Sequence, residues 1–228
     1  MPHTYAFPRP SLTVDVVLFR WHLGHLEVLL IERAHDPFAG CLALPGGFVD
    51  EDEPPEAAAR RELVEETGVT IQNLLPFGNF GDPGRDPRGW VISCAYLGFA
   101  PPHTAAIAGS DARKVGWHRL ADLLPSQYAK PPAEGEAPLG PRFAFDHARI
   151  LADARRRLQE LTQTGTLPLS LLPEPIRSRH ARFLYSQIWD EALAPEACKA
   201  WLRRRDALER IGPAKFKARP GLRADWCR

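Results

Sequence analysis

The feature that most limits how this chain can fold is a run of charge behind two glycines, GGFVDEDEPPEAAARRELVEETGV at residues 46–69. Pro54 and Pro55 follow the first four acidic residues, and Gly68 lies near the end of the stretch. A proline in the first helical turn and a glycine just after the last turn are typical helix boundaries. The sequence therefore predicts a helix from about Pro55 to Thr67, ended by Gly68.

Three glutamates of this helix, Glu62, Glu65 and Glu66, follow one another at spacings of three and four residues, so they share one face. Like charges at this spacing repel one another, which predicts a compensating cation. Arg61 lies four residues before Glu65 and can orient that carboxylate. Hard divalent cations prefer oxygen ligands, and the Gly46–Gly47 turn lets the backbone approach a bound ion closely. A solvated, glutamate-rich surface helix would show the same run of charge.

The remaining patterns predict an α/β domain. The segments at 12–19 and 26–32 are apolar and β-branched and read as a hairpin, and shorter strands are predicted at 41–47, 90–100 and 114–120. Residues 126–142 are rich in Pro, Gly and Ala and predict a surface loop or lid. An amphipathic helix is predicted at 143–163, and a linker follows at 164–175.

Charge divides the chain into two parts. Residues 1–166 contain 16 Lys and Arg against 21 Asp and Glu, whereas residues 167–228 contain 13 against 7. Past the linker, two helices and a basic two-stranded hairpin can be drawn, an order compatible with a winged helix. The asymmetry suggests a domain with an acidic site, joined to a second domain that binds polyanions. Two ordinary solvated surfaces would give the same count of charges.

The spacing of the cysteines and the length of the apolar segments indicate the cellular compartment of the protein. Cys41, Cys94, Cys198 and Cys227 are far apart, with no C-x-x-C pair, which favours free thiols in a reducing compartment. The first residues lack a basic region followed by a long apolar run, and no apolar stretch approaches the roughly 20 residues that span a bilayer. We expect a cytoplasmic protein with no membrane partner.

The charged stretch also fits a longer pattern. Gly47 is followed by five residues, Glu53, seven residues, and then RELVEETGV from Arg61 to Val69, a span of 23 positions. This resembles the Nudix box at every defining position, in the expected strand–loop–helix context. The resemblance implies a Nudix α/β/α sandwich with a mixed sheet at 1–166, followed by a small winged-helix-like α+β domain at 167–228.

The Nudix family hydrolyses nucleoside diphosphates linked to another moiety, and the resemblance implies a role for each residue of the box. Mg²⁺ or Mn²⁺ would bind Glu62, Glu65 and Glu66, with Arg61 positioning them and Glu53 supporting the loop. Such metals neutralise pyrophosphate and lower the pKa of the attacking water. The general base is either a glutamate of the box or an acid on a distant loop, for which the candidates are Asp111, Glu134 and Glu136.

The loop after the box, FGDPGRDPRGW at 80–90, bears on the substrate. Pro83 lies 15 residues past Gly68, close to where a proline marks ADP-ribose pyrophosphatases. Arginine recognises phosphate with two parallel hydrogen bonds, although the same text also fits a tight surface turn. Phe38 and Trp90 are candidates for stacking on adenine, or for the core. The predicted substrate-binding residues are Arg33, Phe38, Gly46, Gly47, Pro83, Arg85 and Arg88.

Beyond the box, the segments RPSLTVDVVLF, ALPGGFVDEDE and FDHARIL, with the C-terminal part, look like the Nudix-related regulators of NAD metabolism. The resemblance implies ADP-ribose sensing, a winged helix on operator DNA, and a homodimer. The intact box favours retained catalysis. IRS at 176–178 and ACK at 197–199 depart from the regulator pattern, which leaves phosphate contacts that carry no sequence information. The DNA candidates are Lys199, Arg203, Arg204, Lys215 and Lys217.

Three interpretations remain from the sequence. The first is a Mg²⁺- or Mn²⁺-dependent pyrophosphatase that cleaves ADP-ribose, or a related nucleoside diphosphate derivative, to AMP and a phosphosugar. The second is an ADP-ribose-sensing transcriptional regulator that binds duplex DNA. The third is a hydrolase whose C-terminal domain only forms a dimer interface. Retention of DNA that falls steeply with salt would favour the second interpretation.

Overall fold

The computed structural model describes residues 7–109, 112–124, 142–205 and 208–218. The strands of these residues are β1 (Ser11–His22), β2 (His25–Arg33), β3 (Leu42–Ala43), β4 (Gly46–Phe48), β5 (Leu74–Phe80), β6 (Val91–Phe99), β7 (Ala112–Arg119), β8 (Ile176–Arg177), β9 (Leu208–Gly212) and β10 (Lys215–Ala218). The α-helices are α1 (Pro55–Thr67), α2 (Leu120–Leu123), α3 (His147–Thr164), α4 (Ser178–Trp189) and α5 (Pro195–Arg203), and a 3₁₀ helix covers Leu167–Leu171.

The first seven strands form one mixed sheet. Its main path runs β3-β2-β1-β6-β5, with β4 beside β1 and β7 beside β2. Strands β1 and β6 are parallel, and every other pair in the sheet is antiparallel. The predicted hairpin is present as β1 and β2. Since β4 carries the two glycines and pairs with β1, the glycine turn is anchored to the centre of the sheet.

Successive residues of β1 point to opposite faces of the sheet, as in any strand. Val14, Val16 and Leu18 belong to a core shared with α1, whereas Val17 and Phe19 belong to a second core that includes α3. All five side chains are fully buried, and burying an aliphatic side chain of this size contributes about 1.5–3 kcal/mol. The predicted α/β/α sandwich with a mixed sheet is confirmed.

Helix α1 has the predicted boundaries. Pro55 occupies its first turn, and Gly68 follows its last residue in the left-handed conformation, with φ of 67°. The Gly68 N–H donates to the carbonyl oxygen of Val64, which satisfies one carbonyl that the helix itself leaves unpaired. The local sequence therefore fixes both ends of the helix that carries the glutamates.

In the first part of the chain, strand β5 and the start of helix α3 differ from the prediction. Strand β5 was not expected, because Pro76 and Gly78 interrupt its apolar pattern, and its pairing with β6 is irregular between these two residues. Helix α3 begins at His147 rather than at residue 143, because the chain first passes through Phe145, whose φ is +50°. Such an angle lies outside the helical range.

The C-terminal part is a small α+β unit. Helices α4 and α5 precede the hairpin β9–β10, as predicted, but Ile176–Arg177 forms a strand against β10 instead of starting the helix. The Gln187 side chain joins this unit to the sheet, accepting from the N–H of Leu26 and donating to the carbonyl oxygen of Gly24. The winged-helix assignment and the boundary after residue 166 stay predictions.

Some predictions fall outside the described residues. These are Asp111, Glu134, Glu136 and nearly all of the predicted loop at 126–142. Within the described ranges, no helix is long and apolar enough to cross a membrane. Cys41, Cys94 and Cys198 are free cysteines in this part of the chain.

Candidate active site

The glycine turn approaches its neighbours so closely that side chains are excluded. A Cβ atom on Gly46 would lie 2.1 Å from the carbonyl oxygen of Val14, and one on Gly47 would lie 2.4 Å from Oε1 of Glu62. The first contact is with the backbone of β1 and the second with the end of the Glu62 side chain. Gly46 therefore allows the sheet to form, and Gly47 leaves room for the Glu62 carboxylate.

Of the three predicted metal-binding glutamates, Glu62 and Glu66 lie beside this turn, and Glu65 shares the Arg61 guanidinium with Glu62. Glu66 is 8% exposed, and its Oε2 accepts the N–H of Gly46 at 2.9 Å. The Glu62 side chain is 14% exposed, and that of Glu65 is 55% exposed. The face thus extends from the buried end of the turn to solvent.

Arg61 holds the carboxylates of the box together. Its Nε and Nη2 donate to both oxygens of Glu53 at 3.0 and 2.8 Å, while its Nη1 donates to Glu62 at 2.7 Å and to Glu65 at 3.2 Å. The pKa of Arg61 is raised, first by the hydrogen bond with Glu53, and the same bond lowers the pKa of Glu53. Nη2 also donates to the Phe48 carbonyl oxygen, which ties the cluster to β4.

The donor set fits a divalent metal ion. Glu62, Glu65 and Glu66 provide carboxylate oxygens, the ligands that Mg²⁺ and Mn²⁺ prefer, and the missing Cβ of Gly47 keeps the space beside Glu62 open. The described residues contain no group of three or more His, Cys, Asp or Glu side chains already gathered for a metal. Instead, the Arg61 guanidinium pairs with Glu62 and Glu65.

Two arginines and a phenylalanine face the same cleft as the glycine turn. The guanidinium carbons of Arg33 and Arg88 lie 5.0 and 5.3 Å from the centre of the Phe145 ring. Burial, and then the charge of Arg88, lower the pKa of Arg33. Two cations that repel one another above one aromatic ring form a receptor for a polyanion.

Each of these arginines is held by the polypeptide. Nε of Arg33 donates to the Pro37 carbonyl oxygen at 2.9 Å. Arg88 donates from Nε and Nη2 to opposite oxygens of Asp86, which is 3% exposed. Burial opposes ionisation of Asp86, but the hydrogen bonds from Arg88 outweigh it and lower the pKa of Asp86. Arg88 keeps 40% of its side chain exposed, so it can also reach a ligand.

Arg85, from the same loop, has a different environment. Its side chain is only 5% exposed, and it makes a forked contact with Asp146 at 2.6 to 3.1 Å and an ion pair with Asp15 at 3.6 Å. It lines the cleft, but its hydrogen-bond donors point into this buried network. Its predicted part in substrate binding stays untested.

A buried histidine connects this network to the glycine turn. Nδ1 of His147 accepts the N–H of Leu44 at 2.9 Å, and Nε2 lies 3.3 Å from Oδ1 of Asp15. Burial lowers the pKa of His147, so the ring is neutral, with its proton on Nε2 facing Asp15. Oδ2 of Asp15 accepts the hydroxyl of Ser93. His147 therefore fixes the segment that leads into Gly46–Gly47.

The remaining predicted substrate residues lie at the rim or away from it. Phe38 is 38% exposed, and its ring meets Phe145 edge to face at 4.9 Å between centroids. Pro83 is exposed in the turn closed by the N–H of Arg85, and Trp90 is 55% exposed. Neither Pro83 nor Trp90 is among the described residues that line the cleft.

The cleft encloses about 70 Å³, well below the roughly 300–1,000 Å³ of a site that surrounds a small ligand. Only part of a nucleotide would therefore be enclosed. Larger cavities lie elsewhere among the described residues, and two of them exceed 400 Å³. One, of about 550 Å³, lies beside β5 and α3, where Arg149, Arg156 and Arg157 each pair with their own acidic residue. The other, of about 490 Å³, lies in the C-terminal part.

The predicted DNA-contacting residues lie on α5, just after it, and on β10. Lys199 pairs with Glu196 at 2.7 Å. Arg203, Arg204, Lys215 and Lys217 are exposed, and none of them forms an ion pair with another described residue. These four exposed basic side chains are together called the C-terminal basic face.

Sequence reasoning did not find the buried network or the aromatic centre of the cleft. Asp15 was visible as the only charged residue in the apolar strand LTVDVVLF, and Phe145, Asp146 and His147 stood together in front of an amphipathic helix. A buried charge needs a partner, so Asp15 was a signal for a polar contact. Its partners, Arg85, Ser93 and His147, lie about 70 to 130 residues away, and no local pattern indicates them.

The profile of the NUDIX domain matches residues 9–138, more than half of the chain. The chain belongs to the NUDIX domain family. The ADPR responsive transcriptional repressor NtrR of Acinetobacter baylyi is 29% identical over 212 residues, which cover 92% of this chain and 79% of that protein. The ADP-ribose pyrophosphatase of Methanocaldococcus jannaschii is 35% identical over 147 residues, 64% of this NUDIX chain and 74% of that one.

Solved structures of one NUDIX protein, NrtR of Shewanella oneidensis, are also similar. The protein alone has a TM-score of 0.73 at 28% identity, and its complex with a 27mer DNA has 0.68 at 27%, each covering 93% of this chain and 95% of that chain. Its NUDIX domain complexed with ADP ribose has 0.55 at 35% identity, covering 67% of this chain and 91% of that chain. The predicted family and fold are confirmed, and a NUDIX hydrolase is supported, as are both leading interpretations of function.

Proposed function

We propose that this NUDIX chain hydrolyses ADP-ribose, or a related nucleoside diphosphate derivative, to AMP and a phosphosugar in the presence of Mg²⁺ or Mn²⁺. The observation that carries the proposal is the cleft itself. The carboxylates of Glu62 and Glu66 lie beside the glycine turn, and Glu65 shares Arg61 with Glu62. The guanidinium carbons of Arg33 and Arg88 lie 5.0 and 5.3 Å from the centre of the Phe145 ring. A metal-bound pyrophosphate is complementary to both sets of charges.

The arginines, the aromatic rings and the glutamates of the cleft have separate roles in the reaction. Arg33 and Arg88 bind the phosphates, and the ring of Phe145, with Phe38 at the rim, contacts the base or ribose. Glu62, Glu65 and Glu66 would hold the divalent ion, which would lower the pKa of the attacking water and offset the charge of the pyrophosphate. Arg61 positions Glu62 and Glu65. The water oxygen forms a new P–O bond as the pyrophosphate P–O bond breaks, the departing phosphate oxygen keeps the electron pair, and the proton of the water passes to the general base. NUDIX ADP-ribose pyrophosphatases generally use divalent metal ions.

The test is release of AMP from ADP-ribose with Mg²⁺ or Mn²⁺. Glu66→Gln keeps an oxygen that accepts the Gly46 N–H but removes the charge, so we expect turnover to fall at least about a hundredfold. Glu56→Gln is the matched control on the same helix, because Glu56 pairs with Arg60 outside the cleft. Near-normal turnover in Glu66→Gln would contradict the assignment, and so would an equal loss in the control.

A second candidate function is regulation of transcription in response to ADP-ribose. It is favoured by the 92% coverage of the alignment with NtrR and by the C-terminal basic face. In this proposal the chain acts as a homodimer on duplex DNA, and the basic side chains contact phosphates. Binding of duplex DNA that weakens steeply with salt, and changes when ADP-ribose is added, would support it. Light scattering that shows a monomer would contradict the dimer.

A further inference from the structure

A second cavity lies in the C-terminal part of the molecule, away from the cleft. It encloses about 490 Å³ between the end of α3, helix α4 and helix α5. This is within the usual range for a small-molecule site, and it shares no lining residue with the cleft. The side chains that matter for what it binds are Thr162, Tyr185, Trp189, Glu191, Trp201 and Arg205.

The aromatic side chains of this cavity contact one another and their polar neighbours. The indole N–H of Trp189 donates to Oγ1 of Thr162 at 2.9 Å. The rings of Tyr185 and Trp201 are nearly perpendicular, with centroids 4.8 Å apart. The guanidinium carbon of Arg205 lies 4.3 Å above the Trp201 ring. Aromatic walls of this kind favour a flat, apolar ligand body.

Two polar atoms on this wall are buried without a hydrogen-bond partner among the described residues, the hydroxyl of Tyr185 and Nε of Arg205. The other end of Arg205 is occupied, because Nη2 donates to the carbonyl oxygens of Thr162 and Gln163 at 3.4 and 3.2 Å. Burial raises the pKa of Tyr185, so its hydroxyl keeps the proton. Both atoms are donors, and buried donors without an acceptor destabilise a fold.

We propose that this cavity binds a small planar aromatic carboxylate. Its ring would pack against Trp189 and Trp201, and its carboxylate would accept hydrogen bonds from the Tyr185 hydroxyl and from Nε of Arg205. Both donors are closed to solvent in this conformation, so the surrounding side chains move when the acceptor enters. The Glu191 carboxylate also lines the cavity and repels polyanions, which favours a single negative charge over a nucleotide diphosphate.

The location gives such a ligand access to both parts of the chain. Thr162 and Gln163 belong to α3, which packs on the sheet, whereas Tyr185 and Trp201 belong to the helices of the C-terminal unit. A ligand here would therefore bridge the two parts, independently of whether ADP-ribose is hydrolysed in the cleft.

The test is calorimetric titration of the full chain with 2-naphthoate, with 2-naphthamide as the uncharged control of the same shape. We expect 2-naphthoate to bind, the amide to bind at least about tenfold more weakly, and Tyr185→Phe to weaken naphthoate binding by about tenfold. Tyr185→Phe removes only a hydroxyl without a described partner, so its Tm is expected to equal or exceed that of the unmodified protein. Arg205→Lys, which keeps the charge but loses Nε, should also weaken binding.

Three results would overturn the proposal. The first is no binding of 2-naphthoate, and the second is equal affinity in the unmodified protein and Tyr185→Phe. The third is displacement of 2-naphthoate by ADP-ribose in direct competition, which would place the ligand in the cleft instead. Unchanged naphthoate affinity at saturating ADP-ribose supports a separate site.

Discussion

The two groups of charged residues in this molecule, the box on α1 and the C-terminal basic face, differ in how their charges are held. In the box, one guanidinium donates hydrogen bonds to the carboxylates of Glu53, Glu62 and Glu65, and the Glu66 carboxylate is fixed by a backbone N–H. On the basic face, Arg203, Arg204, Lys215 and Lys217 extend into water with no ion-pair partner among the described residues. Charges that are fixed by the protein are typical of catalytic sites. Solvated charges are typical of phosphate contacts, which attract a nucleic acid without recognising its sequence.

The largest effect that would sharpen this comparison is expected at Arg61. Arg61→Lys keeps the charge but loses the fork that contacts Glu53, Glu62 and Glu65 together, so the carboxylates lose their common positioning. We expect kcat for ADP-ribose to fall about a hundredfold, since small misplacements of catalytic groups have effects of this order. Arg60→Lys is the control on the same helix, and a similar loss there would contradict the account.

Arg85 and Arg88 lie in one loop, and their substitution should affect stability and substrate binding differently. Arg88→Lys keeps a cation beside Asp86 but loses the exposed guanidinium that we propose contacts phosphate, so KM for ADP-ribose should rise about tenfold. Arg85→Lys instead disrupts the buried contact with Asp146 and should lower the free energy of unfolding by roughly 1–3 kcal/mol. Steady-state kinetics and denaturant unfolding measure the two. A rise in KM without loss of stability in Arg85→Lys would reverse these roles.

The buried histidine predicts a pH dependence of stability. Because the pKa of His147 is lowered in the fold, the unfolded chain binds the proton more readily, and stability falls as pH drops below the unfolded value of about 6.5. The slope contributed is at most about 1.4 kcal/mol per pH unit. His147→Gln removes this contribution, so its stability should approach that of the unmodified protein as pH falls from 7 to 5. A difference that stays constant with pH would show that His147 does not titrate in this way.

The smallest effect on turnover is expected from substitutions of basic residues on α5. Lys199→Ala with Arg203→Ala alters charges that lie on α5, outside the cleft, so turnover of ADP-ribose should stay within about twofold of normal. If the chain binds DNA, the same pair should weaken binding equally for all sequences and reduce the salt dependence. Loss of hydrolysis in this variant would contradict the separation of the two regions.

The sequence predicts some of these features well because their determinants are local. The ends of α1 follow from Pro55 and Gly68, and the shared face of Glu62, Glu65 and Glu66 follows from helical spacing. Arg85 and Arg88, in contrast, look equivalent in the sequence. Only the fold brings Asp146 to Arg85 from 61 residues away, so one becomes buried while the other stays half exposed.

Strand β5 and the C-terminal cavity were both missed because they depend on contacts between distant segments. Strand β5 contains a proline and a glycine that weaken its pattern, and it exists because β6 provides a partner along its length. The C-terminal cavity was also invisible in the sequence, since Thr162, Tyr185 and Trp201 come from three helices. Features that depend on contacts between distant segments need the folded chain.

The most direct test of the central claim is metal binding itself, measured as free Mn²⁺ by electron paramagnetic resonance during titration of the protein with ADP-ribose present. The account predicts that the unmodified protein and Glu56→Gln remove Mn²⁺ from solution, whereas Glu66→Gln and Glu62→Gln bind it at least about tenfold more weakly. Equal Mn²⁺ affinity in all four proteins would contradict a metal site on the glutamate face of α1.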